Sequence, residues 1–177
     1  GATAFHEAGN LSHRVSVDMR HARPFTFDDE SDDALNGIKH YGLAYRGRWQ
    51  ATETDELTLN LEGVKQDDRS TGISRGSTYT RREEETRFFS ALSYAGEVGP
   101  GFLTAETSYG HTDGSANRAV TVESTDYEEM IAQGRYFLAL DDSFGGTHSL
   151  LAGSGFAREE IDIDIYSRTG ERDSTHV

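Results

Sequence analysis

The stretch Tyr41-Gly-Leu-Ala-Tyr-Arg-Gly-Arg-Trp49 decides the fold. Tyr41, Leu43, Tyr45, Gly47 and Trp49 fall on one parity. Gly42, Ala44, Arg46 and Arg48 fall on the other, continued by His40 and Gln50. A strict period of two is the signature of a strand whose faces meet different surroundings. Its length is close to the roughly 9–11 residues of a tilted transmembrane strand. Aromatic residues at both ends of the apolar face suit rings held at headgroup depth.

Working outward, Leu57, Leu59 and Leu61 share a face opposed by Thr58, Asn60 and Glu62. The short Ala51–Glu56 link predicts that this segment and Tyr41–Trp49 are hairpin partners. Further alternation marks Arg14–His21, Arg87–Ala95, Phe102–His111, Met130–Leu140 and His148–Arg158, which gives about seven strands in all. Gly1–Asn10 reads as a turn entering a strand. Two segments admit a helix instead. Thr80–Glu83 resembles a capping box ahead of Phe88 and Leu92, and Asp126–Leu140 sets Met130, Gly134 and Leu138 four apart.

The connections alternate in length. Ala51–Glu56, Gly96–Gly101 and Asp141–Thr147 are short. Ala22–Lys39, Gln66–Glu85, Thr112–Glu129 and the tail after Glu160 are long and rich in Asp, Ser, Thr, Gly and Arg. That rhythm predicts an all-β, antiparallel transmembrane β-barrel segment of meander strands with short periplasmic turns and long extracellular loops. Single-chain bacterial barrels have even strand numbers, and both ends of this chain look cut. Residues 1–177 are therefore expected to be one partial barrel domain.

Composition fits that expectation. The chain has 177 residues, of which only 34% are apolar, with 19 Gly and 2 Pro, so a large water-excluding core is not expected. Its 17 basic and 31 acidic residues leave a net charge of −14, which would repel the phosphates of a nucleic-acid partner. No run reaches the roughly 20 apolar residues of a membrane helix. There is no Cys, and the seven His form no HExxH motif, so neither thiolate nor zincin chemistry is expected. Gly76–Thr80 lacks phosphate-loop spacing, and Ser154 lies outside a GxSxG elbow. The expectation is therefore no enzyme, no cofactor and no metal. The acidic run Asp28–Asp33 offers hard oxygen ligands for calcium but lacks EF-hand spacing, and a plain acidic loop is the simpler reading.

Three stretches resemble the TonB-dependent outer-membrane receptors, nearest to the ferric-siderophore and colicin receptor group. They are His40–Trp49 with Asp55–Glu62, the strand–turn–strand Phe89–Tyr109, and Thr147-His-Ser-Leu-Leu-Ala-Gly-Ser-Gly-Phe-Ala-Arg-Glu-Glu160. The resemblance implies an outer-membrane wall, and uptake of a ferric siderophore or similar scarce solute driven through the TonB complex. In that family TonB is contacted through a plug, which has no match here. Arg69, Arg75, Tyr79, Arg81 and Arg82, on the Gln66–Glu85 stretch, are the candidate ligand-binding residues. Guanidinium forks and a ring would suit an anionic chelate. The competing expectation pairs Arg81 and Arg82 with Glu83, Glu84 and Glu85. Arg46 and Arg48 are expected to pair with Glu62 and Glu106 on the inner face. The rival functions are a small porin-like protein, a soluble β-sheet adhesion or structural domain and, third, an enzymatic barrel.

Overall fold

The computed structural model describes residues 1–22, 25–26, 34–74, 77–118, 121–140, 148–167 and 172–176. Ten strands are present: β1 (Ala2–Ala8), β2 (Leu11–Ala22), β3 (Phe25–Thr26), β4 (Ala34–Gln50), β5 (Glu56–Ser74), β6 (Ser77–Val98), β7 (Gly101–Arg118), β8 (Thr121–Leu140), β9 (His148–Ser167) and β10 (Arg172–His176). They form one antiparallel sheet in the order β1-β2-β4-β5-β6-β7-β8-β9-β10, with β3 beside β4.

The Tyr41–Trp49 alternation sits on β4, and its hairpin with β5 pairs Trp49 with Leu57, Tyr45 with Leu61 and Tyr41 with Lys65. Following that register across the sheet puts Val15, Leu43, Leu59, Leu92, Met130 and Phe156 on one face. Most of the large apolar side chains left exposed belong to this face, which forms a band beside the Gly9–Asn10, Ala51–Asp55 and Gly99–Pro100 turns. The reverse face carries Arg14, Arg46, Asn60, Glu62, Glu106 and Gln133 at the same level. Farther from those turns both faces become charged.

Several expectations are corrected. Both segments that admitted a helix are strands, within β6 and β8. Cross-strand pairing outweighs the isolated i,i+4 spacings there. Gly1–Asn10 holds a strand, β1, paired in full with β2 from Ala2↔Val17 to Ala8↔Leu11. The expected long loops are largely strand. β5 runs on to Ser74 and β6 begins at Ser77, so the Gln66–Glu85 stretch is the far part of a ladder. Thr112–Glu129 lies mostly within β7 and β8, and β9 continues past Glu160 to Ser167. β6 has 22 residues, roughly 70 Å of extended chain and well beyond a bilayer's ~30 Å hydrocarbon core.

The expected transmembrane barrel segment of about seven strands is also overturned. The sheet is neither closed nor strongly curled. β1 pairs with β2 and β10 with β9, and among the described residues no ladder joins the two ends. Burial gives the same result. An eight-stranded barrel is narrow enough for its inward side chains to fill the interior. Here the only buried side chains among the described residues are Ala91 and Thr58. The described residues form a single layer with neither face covered by another of them.

The turn ends are locally well specified. Gly9 and Gly99 take φ of 62° and 60°, the left-handed region that favours glycine in tight hairpins. In the Ala51–Asp55 connection, Thr52 Oγ1 accepts from the Asp55 amide at 3.0 Å and donates to Asp55 Oδ2 at 2.6 Å. Tyr94 reaches across from β6 and donates to Asp55 Oδ1 at 2.9 Å. These bonds, Thr52 first and Tyr94 next, hold the Asp55 carboxyl below the ordinary carboxylate range.

Candidate functional site

Where apolar alternation ends, the far parts of β5 and β6 are held by charge. Asp67 and Arg69 lie on β5 on the same face as the apolar band, and β6 sets Arg82 and Glu84 opposite them. Arg82 forks onto Asp67, with Nε donating to Oδ1 at 3.3 Å and Nη2 to Oδ2 at 3.2 Å. Arg69 Nη2 reaches the same Oδ2 at 3.5 Å, and Arg82 also pairs with Glu84. The Arg82 fork, helped by Arg69, holds the Asp67 carboxyl below its ordinary range, while partial burial works against this. Asp67 in return raises the pKa of Arg82 above the ordinary guanidinium value.

The expected ligand-binding residues are thus placed as follows. Arg69 and Arg82 come together around Asp67. Arg81 is one residue out of phase, on the reverse face, where it pairs with Glu83. Tyr79 stands on β6 opposite Gly72 in backbone register. Arg75 and the acidic run Asp28–Asp33 lie outside the described residues. The pairings expected of Arg81 and Arg82 with the glutamates that follow them are present, to Glu83 and Glu84, and Glu85 is taken by Arg87. Ion pairs this exposed are each worth only about 0–1 kcal/mol.

On the reverse face, a shallow hollow spanning β2, β4, β5, β6 and β7 is lined by Arg14, Ser16, Arg46, Asn60, Glu62 and Glu106. Arg46 shares it with both glutamates expected as its partners. Arg48 pairs with Glu56 at 2.5 Å rather than with either of them, because the β4–β5 register places Glu56 near Arg48 at the hairpin end. The hollow offers charge and hydrogen bonds, with no nucleophile–base pair in it.

Comparison with solved structures places this architecture. The chain is similar to the ferric yersiniabactin uptake receptor FyuA from Yersinia pestis. The TM-score is 0.60 at 12% identity, over 94% of this chain. The chain spans 30% of that receptor's length. At this identity the likeness is one of fold. In fold alone it is in line with the resemblance drawn from the sequence. No protein-family profile and no curated protein sequence matches.

One grouping escaped the sequence reading. His111 of β7 lies opposite Glu128 of β8, with Asp126 one step along the same face. The signal was hidden because no short motif contains residues 17 positions apart in sequence, as His111 and Glu128 are. Only the β7–β8 register makes them neighbours.

Proposed function

We propose that this chain is a structural β-sheet wall that performs no bond chemistry. Its apolar band lies against lipid hydrocarbon and its polar face is turned to water. The observation that carries the reading is the continuous apolar band left uncovered on one face, from Val15, Leu43 and Leu59 to Met130 and Phe156. Each of these side chains is about half exposed, so withdrawing the rest from water contributes about 1 kcal/mol apiece, and a cover for the whole face is favoured. An open sheet leaves edge N–H and C=O groups unpaired.

Trp49, the single tryptophan, stands on the band with 46% of its surface exposed and reports directly on the cover. With phospholipid vesicles, its emission shifts to shorter wavelength and is quenched by brominated acyl chains. A monodisperse monomer in plain buffer, whose Trp49 emission ignores both vesicles and brominated lipid, would refute the reading.

A second reading rests on the fold likeness to a ferric yersiniabactin uptake receptor. In it the wall belongs to an outer-membrane receptor of a Gram-negative envelope that takes up a ferric siderophore or similar scarce solute with TonB-derived energy. Arg69 and Arg82 would capture the anionic solute on this chain by exchanging Asp67 for ligand oxygens. Arg75, Tyr79 and Arg81 complete the candidate set. Binding of a ferric catecholate or hydroxamate probe, weakened at least tenfold by the Arg69→Gln, Arg82→Gln double substitution, supports it. Unchanged binding removes these residues from the role.

A further inference from the structure

We propose that His111, Asp126 and Glu128 form a site for one first-row divalent cation, zinc being the natural probe. His111 Nδ1 lies 3.6 Å from Asp126 Oδ1 and 3.7 Å from Glu128 Oε1, and the three ligand atoms all lie within 4.8 Å of one another. These separations are too long for hydrogen bonds, which fall near 2.7–3.2 Å. They are close to the edge of a metal tetrahedron. With metal–ligand bonds of roughly 2.0–2.2 Å, tetrahedral ligands stand about 3.4 Å apart. A shift of a few tenths of an ångström would bring the two histidine–carboxylate distances to that edge, and side-chain rotation would close the carboxylate pair from within 4.8 Å.

Hydrogen bonding points the same way. His111 Nδ1 is shielded from water and has no hydrogen-bond partner, although the ring as a whole is 32% exposed. A shielded ring nitrogen facing two carboxylates offers a donor that a cation could take. Asp126 and Glu128 remain about half exposed, which leaves an entry path and room for water as a fourth ligand. Tyr109 donates to Glu128 Oε1 at 3.2 Å and fixes that carboxylate from outside the ligand set, a common support for metal-bound oxygen.

The surroundings add charge of the right sign. Asp113 faces Asp126 across the β7–β8 ladder, while Glu160 and Asp162 of β9 stand opposite Glu128 and Asp126 on the same face. Arg158 of β9, on the same face, is paired with Glu160 at 2.7 Å. An imidazole nitrogen in the set favours zinc, nickel or copper over calcium and magnesium, which take oxygen ligands.

The test is a zinc titration of the full chain by calorimetry, alongside His111→Gln, Glu128→Gln and the surface control His21→Gln. The site predicts one equivalent of zinc whose affinity falls about tenfold or more in the first two variants and is unchanged in the control. Tyr109→Phe weakens it by a smaller factor. In the unsubstituted chain, ¹⁵N imidazole spectra must show zinc moving the His111 Nδ1 resonance, which keeps the proposal testable if a variant misfolds. Superimposable isotherms for His111→Gln and His21→Gln overturn the site. So does a zinc-induced change confined to Nε2 of His111.

Discussion

Replacing Gly101 with alanine tests whether the strand ends are packed as tightly as the geometry implies. A Cβ at this position would lie 2.5 Å from the backbone oxygen of Phe137, and equally close to Cζ and the hydroxyl of Tyr136. The tyrosine ring can swing away, but only by giving up the hydrogen bond that its hydroxyl donates to Val98 O at 2.9 Å. The carbonyl belongs to the β7–β8 ladder and moves only if the strand moves. Overpacking of this kind costs about 1–3 kcal/mol, and the lost hydrogen bond about 0.5–1.5. Relief of glycine's backbone entropy returns about 0.5–1. The net expectation is a destabilisation of about 2 kcal/mol. Gly63 is the matched control, since it is also a strand glycine but a Cβ there would meet nothing within 4 Å. Gly63→Ala is expected to stabilise by about 0.5–1 kcal/mol. Urea unfolding followed by far-ultraviolet circular dichroism, in one lipid or detergent condition for all variants, measures the gap between the two. Adding Tyr136→Phe to Gly101→Ala should recover only part of the loss, because Phe137 O remains in place. If Gly101→Ala and Gly63→Ala agree within about 0.5 kcal/mol, the close contact at the start of β7 has no energetic meaning.

Other outcomes follow from the turn, the charged ladder and the apolar band. Thr52→Val removes the hydroxyl bonded to Asp55, so the Asp55 carboxyl should titrate closer to its ordinary range and amide exchange across 52–55 should accelerate, both read by NMR. Asp67 has a folded pKa below the unfolded value of 3.8, so its stabilisation is present above that value and lost as pH falls through the folded pKa. Urea midpoints should therefore show Asp67→Asn less stable than the parent near neutrality, with the difference closing below about pH 4. A constant difference down to pH 2.5 would exclude the Arg82 fork as its source. Leu43→Lys places a charge in the middle of the apolar band and should weaken vesicle binding by about 2–4 kcal/mol if hydrocarbon covers that face. The equivalent change at Ser93, on the polar face, should have little effect in the same flotation assay.

The legible parts of the fold were those where the two faces differ. Tyr41–Trp49 and Leu57–Leu61 announce their strands because alternate residues meet different surroundings, and β4 and β5 pair there as the pattern requires. The continuation of β5 and β6 was misread as loop because Gln66–Arg69 and Arg81–Glu85 are polar on both parities. There hydrophobic periodicity is silent, and the ladder relies on cross-strand groups such as Arg82 on Asp67. Ala2–Ala8 was hidden for a related reason, since Phe5 is its one large apolar residue and the Ala, Thr, His and Glu around it carry little contrast. Closure is not encoded in any single strand's alternation, so local pattern could not distinguish an open sheet from a closed one. The candidate site was half legible. Arg69 and Arg82 were identified by their charge, but their shared partner Asp67 and the separation of Arg81 onto the other face depend on register. His111 and Glu128 meet through register alone.

The spatial order of the strands has a kinetic consequence. Apart from the short β3, every strand in the path pairs with those that flank it in sequence. Each hairpin can therefore close on its own and then serve as template for the next, as in a repeat array where every unit touches only its neighbours. Loop-closure entropy stays low at each step even though the path across the described sheet is nine strands wide. A defect introduced in one hairpin should stay there, fraying its two strands while the ladders on either side keep their protection from hydrogen exchange.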